Sequence, residues 1–423
     1  MASFNTNPLS RDVLARAFLS PILMELSNFT PEERTPWGGD EIPKLKCMLG
    51  WNGGVVGESW EVSDVEPFVT HCELGYARKV SLRDLLDIAP DLLLGGHHTR
   101  FGGRMPFLVK LLNSGSPLPF FSDIEDVLSK IEKGDFKDEC RLFARKVLFG
   151  LRNSNYNSIH LILSSLEDMM AKGGGEIFER LYAVHSKMLS RNLSVQVHPS
   201  PLSGRPSKTE AWYIIGAEDG AGVYLGWKDG VERDDVLHAL SFGEDISRLM
   251  NFVEVEGGDI FFIQGGTPHA IGAGVFLLEV QEPSDVTFRY YDWGGRGRDV
   301  QRKLHVEMAV SATDWSLPKG DTLVQLLKRS PNLVEGIGVL EKKVTLEPHF
   351  EISHISLQGG ASYENRGTGV QCVVAIRGGV AISTNSGLLH VGQGRSAIIP
   401  APLERCSITP LNDEAAFIKV SLP

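Results

Sequence analysis

The chain of 423 residues carries 53 Asp and Glu against 42 Lys and Arg, a formal charge of −11. At roughly 100–200 residues per domain this length implies two or three domains, and an acidic chain lacks the basic footprint that nucleic acid or anionic lipid requires. No apolar run reaches the ~18 residues of a membrane-spanning helix. The five cysteines, Cys47, Cys72, Cys140, Cys372 and Cys406, lie far apart with no C-x-x-C pair, so they specify neither a disulfide framework nor a thiolate zinc site. AFLSPILM at 17–24 imitates a signal peptide only weakly, because Pro21 interrupts it and Glu25 follows at once; cytoplasmic residence is the expectation.

In chain order, residues 9–27 place Val13, Ala17, Leu23 and Leu26 at roughly helical spacing with Ser10 as N-cap, which predicts a helical arm over 1–28. From Trp37 to about Asn113 short apolar runs alternate with GG and NGG turns, a strand texture. Between 122 and 191 the period becomes helical. Ser122 with Glu125 reads as a capping box before Ile124, Val127, Leu128 and Ile131. Two further runs, around Ile159–Met170 and Ile177–Met188, are separated by a GGG break at 173–175. Strand patterns resume at Asn192, with helices expected only near 233–250 and 321–329. The last stretch, about 336–423, is almost purely short strands, as in a β-sandwich or barrel.

An internal repeat points to two related β-domains. Gly258-DIFFI-Gln264-Gly265-Gly266-Thr267-Pro268-His269 has the layout of Gly394-RSAII-Pro400-Ala401-Pro402-Leu403-Glu404-Arg405, with His269 replaced by Arg405. The first copy also carries a candidate metal set. Gln196 and His198 stand at i and i+2 of a strand and so share a face, Glu210 follows in SKTEAW, and His269 ends the glycine turn. Two imidazoles, a carboxylate and an amide oxygen suit zinc and, less selectively, manganese or iron.

The motifs LSVQVHP, KTEAWYII, GDIFFIQGGTPHAIGAGVFLLEVQEPSD and FRYYDWGGR, with PWGG, GESWEVS, FLVKLL and LHVE around them, together resemble type I mannose-6-phosphate isomerase over most of 36–310. The resemblance implies cupin-type β-barrels and one zinc ion held by Gln196, His198, Glu210 and His269. It implies an active-site arginine at Arg289, a second cation at Arg296 or Arg298, and pocket roles for Lys208, Lys110, Glu58 and Glu279, with Ser194 beside them. Aldose–ketose isomerisation needs a base, an electrophile and a phosphate anchor, and Glu279 and Lys208 are both candidates for the base.

Two features depart from the family. Compact members run almost directly from FLVKLL into SVQVHP, so the helical insert at 116–191 stands as a lid, an oligomer contact or decoration, and DWGGR carries one extra glycine. The expected architecture is therefore mainly β: two cupin-like jelly-roll barrels, one from 29–115 and 192–330 with the metal, one from 331–423 without it, plus the insert. The expected activity is zinc-dependent interconversion of mannose 6-phosphate and fructose 6-phosphate by a monomer whose partner is a small-molecule sugar phosphate. A metal cupin oxygenase and a non-catalytic sugar-phosphate-binding cupin are the alternatives.

Overall fold

The structure, a computed structural model, describes residues 9–48, 51–74, 78–152, 159, 162–200, 204, 207–293 and 302–423. Its strands form two facing pairs of antiparallel sheets. In the first pair, a six-stranded sheet runs in the order Lys328–Arg329, Ile260–Ile263, Glu210–Ala217, Val275–Gln281, Leu108–Asn113, Glu58–Val62. It faces a five-stranded sheet ordered Phe288–Tyr291, Val195–Val197, His269–Ile271, Gly222–Trp227, Met250–Glu254. Trp212, Ile214, Phe261 and Leu277 of the six-stranded sheet meet Val223, Leu225 and Ile271 of the other in one core.

The second pair sets a seven-stranded sheet, with Gln371–Arg377, Glu414–Ser421 and Phe350–Gln358 at its centre, over a four-stranded one that includes Tyr363–Arg366 and Arg405–Pro410. Its core joins Ile355, Val373 and Phe417 to Ile382, Val391 and Ile408. The two pairs share a further apolar layer, where Val109, Ala211, Tyr213, Leu278 and Val280 of the six-stranded sheet meet Ile352, Cys372, Val374, Ile418 and Val420 of the seven-stranded sheet. The six-stranded sheet is thus covered on both faces. That explains why its strands read as continuous apolar runs such as FLLEV, without polar alternation.

The expected mainly β architecture is present, but among the described residues no sheet closes on itself into a barrel. Each unit is two open sheets face to face, with Met250–Glu254 an edge strand paired on one side only and Glu58–Val62 joined on its outer side by a single bridge from Phe29 to Ser59. Alternating side chains specify which face of a strand is inward; they carry no information on whether the edges pair. Register shifts between Arg289 and Tyr291 and between Leu225 and Trp227 bend the five-stranded sheet, as bulges do at sheet rims.

The helical arm is shorter than expected. Ser10 caps a helix at Arg11–Ala17, its Oγ accepting from the Val13 amide at 3.4 Å. Pro21 then diverts the chain into a strand, Ile22–Leu23, that pairs with Ser396–Ile399. The buried positions are Leu14 and Phe18, while Val13 is 42% exposed. The insert holds helices Phe121–Lys133, Asp138–Arg152 and Gly175–Leu189. Ile124, Val127, Leu128 and Ile131 enter a separate core with Phe143, Val147, Phe178 and Leu181. The capping box at Ser122 is absent, because the helix starts two residues earlier, with Phe120 at the N-cap. The GGG segment is absorbed into a π-helical turn, Met170–Gly174, that leads into the last helix.

Candidate metal centre

The five-stranded sheet brings three of the singled-out side chains into one row. Gln196 lies opposite His269 on one side and Arg289 on the other. Glu210 opens the neighbouring sheet's central strand, opposite Ile263 and Gln281. The turn Gln264–Thr267 connects the two sheets and delivers His269. Gly265 there leaves no room for a side chain, since an added Cβ would fall 2.4 Å from the Pro199 carbonyl oxygen, and Gly266 has φ +93°.

His198, Glu210 and His269 are all buried, with one ligand atom each lying within 4.8 Å of the others. The His198 Nδ1 donates to the Val286 carbonyl at 2.8 Å and the His269 Nδ1 to the Thr267 carbonyl at 2.9 Å. Each bond fixes a tautomer whose Nε2 lone pair points inward, the arrangement that outer partners impose on metal-bound imidazoles. His198 Nε2 is 3.0 Å from Glu210 Oε1, and His269 Nε2 is 3.8 Å from Glu210 Oε2 and 3.3 Å from the Gln196 amide. Glu210 Oε2 is buried and accepts no hydrogen bond among the described residues.

Electrostatics keep this donor set ready for a cation. Burial, reinforced by the Lys208 ammonium, lowers the His198 pKa, and burial with neighbouring His198 takes His269 down to about 3. Desolvation opposes ionisation of Glu210, yet the Lys208 ammonium beside it outweighs burial and holds the carboxyl well below its usual range. Both imidazoles are therefore neutral and the carboxyl is charged at neutral pH. This is the protonation state that metal ligation demands, so the residues fit zinc.

A chain of charges continues from there. Lys208 Nζ bonds Glu210 Oε1, lies 3.3 Å from His198 Nε2, and is 3.8 Å from Glu279 Oε1. Glu279 pairs with Lys110 at 3.1 Å, and Lys110 lies 3.9 Å from Glu58. Burial and the Glu210 carboxylate push Glu279 up to about 7 against the pull of the two lysines. Burial would lower Lys110, but Glu279, Glu58 and Glu210 prevail and raise it.

One pocket is lined by Glu58, Lys110, Ser194, Gln196, Lys208, Glu279 and Arg289. His198, Glu210 and His269 do not line this pocket; they adjoin it through Gln196 and Lys208. Ser194 Oγ and Arg289 Nε are buried without a partner among the described residues, so both have bonding capacity to offer. Arg296 and its alternative Arg298 lie outside the described residues. Arg34 and Arg302 also line the pocket and were not picked out by spacing. Arg302 is held by Asp292 at 2.6 Å, and Arg34 stacks over Phe68 with its guanidinium 4.7 Å from the ring centroid. Neither sits in a motif with a local signal. No described residue of 116–191 lines the pocket.

The fold defines the class of protein first. Over 95% of its length the chain superposes on the mannose 6-phosphate isomerase of Bacillus subtilis, covering 100% of that chain with a TM-score of 0.63 at 19% identity. A zinc-bound mannose 6-phosphate isomerase superposes with a TM-score of 0.57 at 13% identity, covering 98% of that chain. At such identities the likeness is one of fold. No family model matches the chain.

Sequence relatives carry the same name. The chain is 31% identical over 182 residues to the mannose-6-phosphate isomerase of Streptococcus mutans serotype c, a match spanning 41% of this chain and 56% of that protein. It is 33% identical over 141 residues to mannose-6-phosphate isomerase ManA of Bacillus subtilis, or 31% of this chain and 44% of that protein. The chain spans about half the length of these curated relatives. Its resemblance to mannose-6-phosphate isomerase therefore rests on sequence relatives and fold alike.

Proposed function

We propose that the protein is a zinc-dependent aldose–ketose isomerase that interconverts mannose 6-phosphate and fructose 6-phosphate. The observation that carries this reading is the pair of imidazoles locked with Nε2 turned towards the buried Glu210 carboxylate, whose Oε2 is unpartnered among the described residues, beside a carboxyl group held near neutrality. Gln196, His198, Glu210 and His269 would hold one zinc ion, which supplies a Lewis acid for the carbonyl and hydroxyl oxygens of the reacting pair.

The remaining steps fall to the chain's own side chains. Glu279 takes the proton from C2 of the aldose and returns one at C1 of the ketose, a carboxylate being effective when its pKa lies near the working pH. Lys110 holds one Glu279 oxygen in place at 3.1 Å. Lys208, on the other flank, can exchange a proton with substrate oxygens, and it stands as the alternative base. Arg289 donates to the phosphate or the developing oxyanion through charge-assisted bonds. Arg296 adds a second cation there, while Ser194 and Glu58 contact sugar hydroxyls.

The same reading makes each sheet pair a cupin-type jelly roll. The metal-bearing unit comprises 29–115 and 192–330, the insert 116–191, the unlike partner 331–423, and the arm 1–28. Five cysteines free of disulfides fit cytoplasmic residence. Incubation of the full chain with mannose 6-phosphate should yield fructose 6-phosphate, stop on chelation and resume with zinc. Absence of product in zinc-loaded protein removes the proposal. His269→Ala should lose bound metal and activity together, and activity persisting without metal would refute the ligand assignment.

A further inference from the structure

The register of the second sheet pair repeats that of the first, and it places a different chemistry at the same points. In the first pair His269 lies opposite Gln196, Glu210 opposite Ile263, and Glu279 opposite Trp212. In the second, Arg405 lies opposite Arg366, Gln371 opposite Ile399, and Lys419 opposite Val373. Arg366 thus takes the place of Gln196, Gln371 that of Glu210, Arg405 that of His269 and Lys419 that of Glu279. Thr368, two residues after Arg366, takes the place of His198. A metal-ligand set has been exchanged for cations, an amide and a hydroxyl.

A cavity of about 350 Å³ opens at this position, lined by Arg366, Thr368, Gln371, Lys419, Glu351 and His97. Gln371 is 2% exposed, and neither its Oε1 nor its Nε2 has a partner among the described residues. A buried amide left unpaired is costly, so the position calls for a partner. The Gly367–Gly369 loop is shaped around the cavity wall. A Cβ on Gly367 would collide with the Gln371 amide nitrogen at 1.8 Å, and one on Gly369 with the His97 ring at 2.9 Å. Lys419 is 6% exposed, with its Nζ 2.8 Å from the Tyr363 hydroxyl. Glu351 pairs with Lys343 at 2.7 Å, which leaves Arg366 and Lys419 as the cations of the lining.

We propose that this cavity binds a hydroxylated phosphate monoester, with Arg366 and Lys419 on the phosphate, and Gln371 and Thr368 on the phosphate and an adjacent hydroxyl. The primary amide can donate and accept at once, which suits a ligand carrying both an oxyanion and a hydroxyl group. The site is separate from the metal pocket and does not depend on the isomerase reading.

Glycerol 3-phosphate, titrated calorimetrically into the full zinc-loaded chain, is the probe. Arg366→Ala, at an exposed position, should weaken one class of sites about tenfold, the usual scale for one charge-assisted hydrogen bond. Gln371→Leu should weaken the same class while thermal stability holds or rises, because the amide it removes has no partner among the described residues. A merely structural glutamine would give the opposite pattern. Arg289→Ala should leave this class intact. A soaked crystal should show the phosphate between Arg366 and Lys419. Binding indifferent to Arg366→Ala and Gln371→Leu, or lost altogether in Arg289→Ala, overturns the proposal.

Discussion

Glu279 shows how much a single environment can change one carboxyl group. Burial and Glu210 favour its neutral form, and Lys110 and Lys208 hold the pKa down to about 7. As a base it must be ionised, so turnover should rise with pH through about 7. Lys110→Met removes a charge that stabilises the carboxylate, so the ascending limb should move to higher pH; a limb that stays in place assigns the titration to another group. Glu279→Gln should lower kcat by about 10²–10⁴ while the fold persists. Because the folded-state pKa lies above the ordinary 4.5, this carboxyl's contribution to stability is full below about pH 4.5 and is lost as pH rises through 7. The clustering of His198, Glu210 and His269 could be anticipated from motif spacing, whereas Glu279 was singled out only through the family resemblance. Arg34 and Arg302 were not legible in sequence: they reach the pocket from segments that only tertiary structure brings near, and a cation among acids in PEERTP looks like any surface arginine.

The turn Gln264–Thr267 carries the site's precision at the level of elements. Gly265 sits against the Pro199 carbonyl and Gly266 against Asp314 and Ser200, both glycines at distances that a side chain would violate. Gly265→Ala must push the turn away from Pro199, the residue next to His198. The expected cost is about 1–3 kcal/mol of stability, accompanied by weaker zinc retention. Zinc content against chelator, measured beside a denaturant melt, tests this; full retention at lowered stability would show that the turn and the ligand positions are uncoupled. The glycine-rich turn and the apolar strand before it were readable from sequence because a tight turn demands those residues. The capping box at Ser122 misled because such a pattern competes with the packing of Phe120 and Phe121 beside the insert's core, and the helix starts two residues earlier. Edge pairing was equally hidden, since the same inward-facing residues serve an open sandwich and a closed barrel.

Across the whole molecule, a chain of net charge −11 surrounds a pocket in which the cations Arg34, Lys110, Lys208, Arg289 and Arg302 outnumber the acids Glu58, Glu279 and Asp285. The two sheet pairs are also locked by charge. Lys46 and Glu61 form a fully buried ion pair at 2.8 Å; Ser59 and Ser396 donate to the Glu61 carboxylate, and Lys46 donates to the Gly394 carbonyl. Gly394 and Ser396 belong to the second unit, so this network bridges the units beside their shared apolar layer. Breaking one partner leaves a buried charge unpaired, at a cost of about 3–5 kcal/mol, whereas replacing both with apolar groups of similar volume is far cheaper. Lys46→Met should therefore destabilise strongly, and adding Glu61→Leu should recover most of the loss. If the network makes the two units one cooperative body, Lys46→Met should also split the single denaturation transition into two, read by a probe in each unit. A single transition at unchanged midpoint would place the coupling in the apolar layer of Tyr213, Leu278, Ile352 and Ile418 instead.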